Sequence, residues 1–481
     1  MDSTITLPVW LVVLLVLLSV ALLLDRVLIP SVRWYLRRRI NRVIDEVNTR
    51  LDIEVRPFQQ TRRQILIDQL SHDEKVEAAV RDYAREHDMP REVAQAKANA
   101  YAREIVPSFN AYVYFRVGYW IARHVARLIY RVRVGFHDED RLASVNPDAT
   151  VVFVMNHRSN MDYILVAFLA AERTALSYAV GEWAHIWPLQ TLIRAMGAFF
   201  VRRGSGDALY RRVLQRYVQM ATRAGVCQAV FPEGGLTRDG ATREAKLGFL
   251  DYMLRDYHPE SDREIVFVPV GINYDRVIED RSLLRKLDRD AEKRTTAFVI
   301  KTSLRFLFKQ LRLSRRDRWR RFGYASVNFG EPLSVQDWCQ EQGVEFARLE
   351  QDARFVQVGR LANALMKRIA DVVPVLPVPL LASVVLEYRN DWKSALAIKT
   401  CALEKIEQLR EQGAPIRITA GACEGVLSNA LTTLCARKML EQRNGLLRAA
   451  ADTEDVLTYY ANSINRWCMP PAGARGAKAR L

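Results

Sequence analysis

Short, fully apolar runs alternate with longer helical patterns along the middle of the chain, and this alternation constrains the fold more than any other feature of the sequence. The apolar runs occupy residues 151–155, 198–201, 226–231 and 265–270. They are too hydrophobic for half-exposed strands and are typical of strands buried on both faces. Helical patterns lie between them, at residues 163–173, 207–224 and 245–257. The order predicts an α/β fold with a mixed, mostly parallel sheet covered by helices, in which sites form at the strand ends.

A length of 481 residues is enough for two or three domains. Prolines and changes in composition divide the chain into five predicted regions. These are an N-terminal transmembrane or signal-anchor helix (1–30), a basic helical region (31–105), the α/β domain (106–375), a helical C-terminal domain (376–469) and a disordered tail (470–481). The helices of the basic region are expected to be solvated connecting helices.

Residues 7–24 (LPVWLVVLLVLLSVALLL) carry no charge. As a helix they would be about 27 Å long, close to the thickness of a bilayer core. The alternative is a cleaved signal peptide, but residues 1–6 contain Asp2 and no basic residue. An anchor is therefore the favoured interpretation. Arginines follow the segment from Arg26 onward, and such positive flanks stay on the cytoplasmic side, so we expect an inner-membrane protein whose body faces the cytoplasm.

The net charge is +16, from 71 Lys and Arg against 55 Asp and Glu, which indicates an anionic partner: nucleic acid, a bilayer surface or a phosphorylated substrate. Residues 111–136 and 302–321 are rich in both arginine and aromatic residues. Each could be a cationic amphipathic helix at the lipid headgroups or a helix packed on the domain. The six cysteines are scattered without C-x-x-C pairs, and no H-E-x-x-H motif or carboxylate cluster is present, so we expect no metal.

The first apolar run continues into Asn156-His157-Arg158-Ser159-Asn160-Met161-Asp162-Tyr163. On a straight helix His157 and Asp162 would lie about 140° apart, so they meet only if the chain turns between them. Ser159 and Asn160 favour such a turn and a helix start. Asp162 could then bind one ring nitrogen of His157 and leave the other free to accept a proton. The alternative is an ordinary buried histidine–aspartate pair, which is also common.

Three further blocks follow at the ends of the later apolar runs. Residues 197–203 read GAFFVRR and end in Arg202 and Arg203. Residues 231–238 read FPEGGLTR and residues 268–274 read VPVGINY. Arginine pairs and glycine-rich turns at strand ends are suited to binding a phosphate.

Together, the four blocks resemble those of the glycerolipid acyltransferases with an H-x4-D motif, most closely the membrane-bound glycerol-3-phosphate acyltransferase branch. NHRSNMDY resembles the H-R-S-x-x-D-Y of this branch. Its E-G-G-x-[ST]-R-x-G block is matched by Glu233, Gly234, Gly235, Thr237, Arg238 and Gly240. Leu236 stands where the family often has arginine, and Phe231-Pro232 is closer to the lysophosphatidate branch. Residues 377–386 and 457–464 resemble the C-terminal helical region of the family, and the resemblance spans about residues 112–467.

The resemblance implies transfer of an acyl group from an acyl thioester to the sn-1 hydroxyl of glycerol 3-phosphate, giving lysophosphatidate, the first step of phospholipid synthesis. His157 would be the general base and Asp162 would orient it. By analogy Arg202, Arg203 and Arg238 would clamp the phosphate, with Arg203 favoured over Arg202. Glu233 would hold an arginine or accept from the glycerol hydroxyls, Gly234 and Gly235 would let the backbone approach, and Pro269 would shape the acyl pocket.

No cofactor is expected besides the co-substrate, acyl-CoA or acyl-carrier protein, and the phospholipid bilayer is an expected partner. One alternative is an acyltransferase that acts on lysophosphatidate or dihydroxyacetone phosphate. Another is a basic membrane-binding or nucleic-acid-binding protein without catalysis. The sequence has no organised nucleic-acid-binding motif, so no specific nucleic-acid partner is expected. Cys227 lies inside an apolar run and is expected to fill the core.

Overall fold

The computed structural model describes residues 55–136, 144–170, 174–181, 189–202, 204–285, 322–418 and 423–468. The predicted membrane helix at residues 7–24, the basic stretch at 302–321 and the predicted tail at 470–481 lie outside these ranges. Among the helices within them, none combines the length and the apolar character needed to cross a bilayer.

Eight strands of the described residues form one sheet in the order β1-β7-β6-β2-β5-β3-β4, with β8 paired to β6. Neighbouring strands are parallel except where β6 meets β7 and β8. The prediction of a mixed, mostly parallel sheet is therefore confirmed. The strands are β1 Arg131–Phe136, β2 Thr150–Met155, β3 Ser177–Gly181, β4 Phe199–Val201, β5 Gln228–Val230, β6 Ile265–Tyr274, β7 Tyr324–Phe329 and β8 Leu333–Ser334.

The four predicted apolar runs correspond to β2, β4, β5 and β6, whereas β1, β3, β7 and β8 were not predicted. The expectation of one helix across residues 111–136 is wrong. A π-helical turn at Val113–Gly118 and a helix at Tyr119–Ile129 are followed by β1. Arginine and valine alternate in β1, which lies at one end of the sheet, so this strand lacks the continuous apolar run of the central strands.

The helices of the described residues are numbered in chain order. They are α1 Pro57–Gln60, α2 Arg63–Ser71, α3 Glu74–Glu86, α4 Arg91–Ile105, α5 Tyr119–Ile129, α6 Met161–Ala170, α7 Leu189–Ala195, α8 Ala208–Arg223, α9 Gly248–Leu254, α10 Asp280–Arg285, α11 Val335–Gln342, α12 Gln351–Val372, α13 Pro377–Glu387, α14 Ala395–Glu411, α15 Cys423–Ala436, α16 Glu454–Ala461 and α17 Asn465–Cys468.

Successive side chains of a strand point to opposite faces, and β2 shows this clearly. Val152 and Val154 belong to a core that also contains residues of α2, α3, α4, α8, α9 and α12. In α2 to α4, Ile67, Val80 and Ala98 are fully buried. Helices α2 to α4 of the basic region are therefore not solvated connectors, because their apolar faces cover one side of the sheet.

Val151 and Phe153 of β2 face the second core, which contains residues of α5, α6 and the C-terminal helices. The C-terminal region also has a small antiparallel sheet that was not predicted, in the order β10-β11-β9. Its strands are β9 Lys393–Ser394, β10 Leu440–Arg443 and β11 Leu446–Ala449. Because Leu380 and Leu457 share this core with Val268 of β6, the C-terminal region packs directly on the sheet.

Candidate active site

The chain leaves β2 at Met155 and enters α6 at Met161 through a tight turn. Asn156 continues the pairing with β6, because its side-chain amide donates to the Ile272 carbonyl at 2.9 Å and accepts from the Ile272 N–H at 2.7 Å. The Asp162 N–H donates to the Ser159 carbonyl at 3.0 Å and closes the turn. This strand, turn and helix bring His157 and Asp162 together at the carboxyl end of a central strand.

The side chains of His157 and Asp162 form a buried pair. His157 Nδ1 lies 2.9 Å from Asp162 Oδ2, and the two side chains are 2% and 0% exposed. The same carboxylate oxygen accepts the backbone N–H groups of Arg158 at 2.7 Å and Ser159 at 3.0 Å. A carboxylate in this position requires Nδ1 to carry a hydrogen, so the neutral imidazole presents Nε2 as a proton acceptor.

Nε2 of His157 makes no hydrogen bond with any residue that the structure describes. The ring stacks on Phe231 with centroids 4.0 Å apart and meets the edge of Tyr163 at 5.4 Å. A cavity of about 230 Å³ lined by Thr222, Arg263 and Ile265, among others, lies at the opposite end of the sheet. The imidazole is thus oriented by Asp162, packed against two aromatic rings and almost fully buried.

Tyr274, the last residue of β6, completes the hydrogen bonds of Asp162. Its hydroxyl donates to Asp162 Oδ1 at 2.6 Å, and its side chain is fully buried. Burial beside the Asp162 charge raises the pKa of Tyr274 well above its ordinary value, so the hydroxyl stays protonated and remains a donor. Asp162 therefore has partners for both carboxylate oxygens.

Glu233 lies on the other side of His157, in the segment after β5 that we call the β5 loop (residues 231–247). Its Oε1 accepts the His157 backbone N–H at 3.1 Å. Its Oε2 is buried and has no hydrogen-bond partner among the described residues. Burial raises the pKa of Glu233 to about 8, so the side chain is mostly a neutral acid at pH 7. The prediction that Glu233 holds an arginine is not what the structure shows, because it holds the histidine backbone.

The β5 loop folds back over the turn, since the Thr237 N–H donates to the His157 carbonyl at 2.9 Å. Gly234 has a φ of 68°, and a Cβ there would lie 2.6 Å from the Lys246 side chain. Only glycine fits this position without displacing Lys246. Gly235, next to it, is buried. Gly234 therefore lets the loop pack tightly against its own residue Lys246.

Three cations lie exposed on the β5 loop: Arg238, Arg243 and Lys246. None of them makes an ion pair with a residue in the described part of the chain. The charge of Arg243 lowers the pKa of Glu233 and so opposes the effect of burial, which places Arg243 within electrostatic reach of that carboxyl group. Arg238 directly follows Thr237, whose N–H contacts the His157 carbonyl, so it lies on the loop beside the turn, and its role in binding phosphate stays a prediction. Arg243 and Lys246 were not predicted.

Arg202 is not brought to the site. Its guanidinium binds both carboxylate oxygens of Glu104, at 2.8 and 2.6 Å, and stacks on Tyr101 and Tyr210. It follows β4 at the edge of the sheet, three strands from β2 and therefore about 14 Å away. Arg203, which was favoured over Arg202, lies outside the described residues.

Pro269 lies within β6, opposite Val154 of β2. The antiparallel partner β8 pairs with residues 266–267 of β6, and β7 pairs with residues 270–274. Pro269 falls between these pairings, where its missing N–H costs no ladder hydrogen bond, and its carbonyl accepts from Gly330 at 2.8 Å. This position explains why a proline is tolerated within the strand. The role of Pro269 in an acyl pocket stays a prediction.

Two further residues hold the turn and were missed by the sequence analysis. Glu279 accepts from the Ser159 hydroxyl at 2.7 Å and from the Asn160 side chain at 3.1 Å. Arg158 is buried and donates to the Gly240 carbonyl of the β5 loop at 2.6 Å. The motif at the turn gave no indication of these contacts, because the partner residues lie 82 and 120 residues away along the chain.

Cys227, which was predicted to fill the core, is buried, and burial raises its pKa to about 12.

Comparison with known proteins adds two matches to family models. The acyltransferase model matches residues 133–273, which include the turn, the β5 loop and most of β6. A second model, the glycerol-3-phosphate acyltransferase C-terminal region, matches residues 305–475.

Among the described residues, no group of three or more His, Cys, Asp or Glu side chains is placed to hold a metal ion.

Curated relatives carry the name glycerol-3-phosphate acyltransferase. The protein from Xanthomonas campestris pv. campestris is 27% identical over 439 residues, covering 89% of this chain and 48% of that protein. The protein from Pseudomonas entomophila is 30% identical over 356 residues, covering 72% of this chain and 41% of that protein. The chain spans about half the length of the curated relatives it matches.

A solved structure, the 1-acyl-sn-glycerophosphate (LPA) acyltransferase PlsC from Thermotoga maritima, covers 63% of this chain and 96% of its own. Its sequence identity is 15% and its TM-score is 0.29, too low to bear on the fold.

Proposed function

The chain is related to the glycerol-3-phosphate acyltransferases through both its acyltransferase domain and its C-terminal region, and we propose that it acylates glycerol 3-phosphate. The reaction is transfer of an acyl group from a thioester to the sn-1 hydroxyl, giving lysophosphatidate. One observation supports this most: His157 is held by Asp162 through Nδ1, and its Nε2, which no described residue engages, lies near a loop whose cations make no ion pair within the described ranges.

In the proposed mechanism, His157 Nε2 accepts the hydroxyl proton while the hydroxyl oxygen bonds to the thioester carbonyl carbon. The carbon–sulfur bond then breaks, and the imidazolium returns the proton to the departing thiolate, which leaves as a free thiol. Asp162 fixes the tautomer and stabilises the imidazolium between the two steps. A positioned base of this kind contributes roughly 10² to 10⁴ in rate.

The acceptor phosphate is assigned to the β5 loop. Arg238 remains the predicted clamp residue, and Arg243 and Lys246 join it because they are exposed and unpaired within the described residues. Binding a dianion here holds the hydroxyl in place for the base. Glu233, neutral and with a buried oxygen lacking a partner, can donate to or accept from a glycerol hydroxyl. Arg202 contributes only if it leaves Glu104.

We place the reaction at the cytoplasmic face of the inner membrane, with the bilayer as a partner. The proposal draws on the uncharged segment at residues 7–24 and on the exposed side chains of Val117, Trp120 and Ile121, which lie beside Arg116. Arginine can bind lipid phosphate while the apolar side chains enter the headgroup layer. Sedimentation of the protein with anionic vesicles, weakened by Trp120→Ala, would support this placement; equal sedimentation of both proteins would contradict it.

The function is tested with the purified full chain and a panel of substrates. Acyl-CoA and acyl-carrier protein are each offered with glycerol 3-phosphate, lysophosphatidate or dihydroxyacetone phosphate, and products are identified by mass spectrometry. We expect lysophosphatidate from glycerol 3-phosphate, with one donor preferred. Acylation of only another acceptor would reassign the substrate. Salt-sensitive nucleic-acid binding without any acyl transfer would support the non-catalytic alternative.

Two variants test the base assignment in the same assay. His157→Ala should lose at least a hundredfold in kcat, and Asp162→Asn should lose less, because the imidazole remains but its tautomer is no longer fixed. The control is His72→Ala, which removes an exposed histidine of the basic helical region. Wild-type turnover by His157→Ala would remove His157 from the mechanism.

A further inference from the structure

A segment near the C-terminus reaches the site from the far end of the sequence. It consists of α16 and the 3₁₀ turn Asn462–Ile464, and we call it the clasp segment (residues 454–464). Tyr459 in this segment is 301 residues from Arg158, which its hydroxyl contacts at the backbone carbonyl. The clasp segment contacts three parts of the site, through Tyr459, Tyr460 and Asn462.

The first contact is with the β5 loop. A Cβ on Gly240 would lie 1.8 Å from the Tyr459 carbonyl oxygen, so the two backbones approach as closely as glycine permits. The Asn462 side chain donates to the Asp239 carbonyl at 2.9 Å. Asp239 directly follows Arg238. The clasp segment therefore fixes the backbone beside the proposed phosphate clamp.

The second contact is with the turn that carries His157. The guanidinium of Arg158 lies over the Tyr459 ring, 5.0 Å from its centroid. Arg158 also donates to the Gly240 carbonyl, so it connects the turn, the β5 loop and the clasp segment. Arg158 is 2% exposed, and its contact with the aromatic face is made away from water, where such contacts are strongest.

The third contact is with the connection between β6 and α10. The Tyr460 hydroxyl accepts the Val277 N–H at 3.0 Å and donates to Asp280 at 2.6 Å. Arg437 forms a buried ion pair with the same carboxylate of Asp280. Between these two anchored residues lies Glu279, which holds Ser159 and Asn160 of the turn. The clasp segment thus fixes both sides of the turn.

We infer that the clasp segment positions the β5 loop against His157, so that the C-terminal region determines how well the acceptor binds. The identity of the acceptor in this inference rests on the proposed function. The positioning of the β5 loop rests on the three contacts described above. Asn462 and Tyr459 are positioning residues, because neither contacts the reacting atoms. Loosening them displaces Arg238 and the β5 loop while His157 remains paired with Asp162.

Asn462→Ala tests the inference with the smallest change. It removes one hydrogen bond to Asp239, and we expect the KM for glycerol 3-phosphate to rise about two- to tenfold, the range for one such bond. The kcat, the KM for the thioester and the melting temperature should stay near wild type. Asn429→Ala, an exposed asparagine of α15 with no contact to the site, is the matched control.

Tyr459 gives a second test with a built-in rescue. Tyr459→Leu removes the ring beneath Arg158 and should raise the same KM, whereas Tyr459→Phe keeps the ring and should restore it to within about twofold of wild type. Equal changes in both KM values, or a loss of activity that only follows a lower melting temperature, would show a merely structural role and overturn the inference.

Limited proteolysis provides a readout that does not depend on activity. Trypsin cleavage after Arg238, followed by mass spectrometry of the fragments, should be about two- to tenfold faster in Asn462→Ala than in wild type and unchanged in Asn429→Ala. Equal cleavage rates would contradict the clasp. If the wild-type chain transfers no acyl group, the proposed function fails, and the proteolysis still decides whether the clasp segment holds the loop.

Discussion

At the scale of single residues, Asp162 is where the hydrogen bonds of the site converge. It accepts from the His157 ring, from two backbone N–H groups and from the Tyr274 hydroxyl. Each donor stabilises the carboxylate in its present position. Tyr274 therefore helps to hold Asp162 beside the His157 ring.

Tyr274→Phe should lower kcat, because Asp162 Oδ1 loses its hydrogen-bond donor and the carboxylate is held less firmly beside His157 Nδ1. One hydrogen bond is worth about 0.5 to 1.5 kcal/mol, so a loss of about two- to tenfold is expected. The measurement is the steady-state kcat for acyl transfer to glycerol 3-phosphate.

Tyr130→Phe is the matched control for this prediction. Tyr130 is equally buried, and its ring lies 5.3 Å from that of Tyr274, but its hydroxyl donates to the Arg276 carbonyl. Its removal should leave kcat unchanged. Equal kcat values for Tyr274→Phe and wild type would mean that the Tyr274 hydroxyl does not help to position Asp162.

Glu233 predicts a dependence of stability on pH. Its pKa is raised from an ordinary 4.5 to about 8, so between these values the folded protein binds a proton that the unfolded chain has released. The contribution of Glu233 to the free energy of unfolding is therefore largest below about pH 4.5. It falls by a few kcal/mol in all as the pH rises to about 8.

Glu233→Gln should remove this dependence, because the amide oxygen can still accept the His157 N–H but has no proton to lose. Melting temperatures measured from pH 5 to pH 9 should therefore diverge, with the variant increasingly more stable than wild type as the pH rises. Parallel curves would show that Glu233 is already ionised in the folded protein at low pH.

At the scale of elements, the β5 loop is the part of the site that carries free charge. Arg238→Ala should raise the KM for glycerol 3-phosphate about tenfold or more and leave the KM for the thioester nearly unchanged, since a charge-assisted bond to phosphate is lost. Steady-state kinetics with each substrate varied in turn measures this.

Arg360→Ala is the control, because Arg360 is an exposed arginine on α12 without an ion pair in the described part of the chain. It tests whether removal of any positive charge has the same effect. If Arg238→Ala leaves both KM values unchanged, Arg243 and Lys246 alone would have to hold the phosphate.

At the scale of the whole molecule, the C-terminal region and the sheet share one core. Leu457 of α16 is fully buried in the cluster that contains Val268 and Ile272 of β6. Leu457→Ala should lower the free energy of unfolding by about 2 to 5 kcal/mol. Because the core is shared, calorimetry should show one transition, shifted as a whole to lower temperature.

Leu403→Ala, at a side chain that is 40% exposed on α14, should shift the same transition much less. Two separate transitions in the Leu457→Ala protein, with only one of them displaced, would show that the C-terminal region unfolds independently of the sheet.

The sequence by itself predicted the mixed, mostly parallel sheet and the pairing of His157 with Asp162. The runs that became β2 and β6 are apolar throughout, so only a central, covered position suits them. Ser159 and Asn160 mark a turn, and a turn is the only local geometry that lets His157 meet Asp162. These are short-range properties, encoded by residues that are adjacent in the chain.

Only the tertiary structure determined which other side chains complete the site. Tyr274, Glu279 and Tyr459 come from distant parts of the chain. Tyr274 and Tyr459 lie in segments that the sequence had singled out, but no sequence pattern indicated that any of the three contacts the turn. Arg202 shows the converse: its motif suggested a phosphate, yet Glu104 of α4 engages its charge. Such partners are brought together by long-range packing, which depends on the whole core. A sequence motif reflects only residues that are close together in the chain.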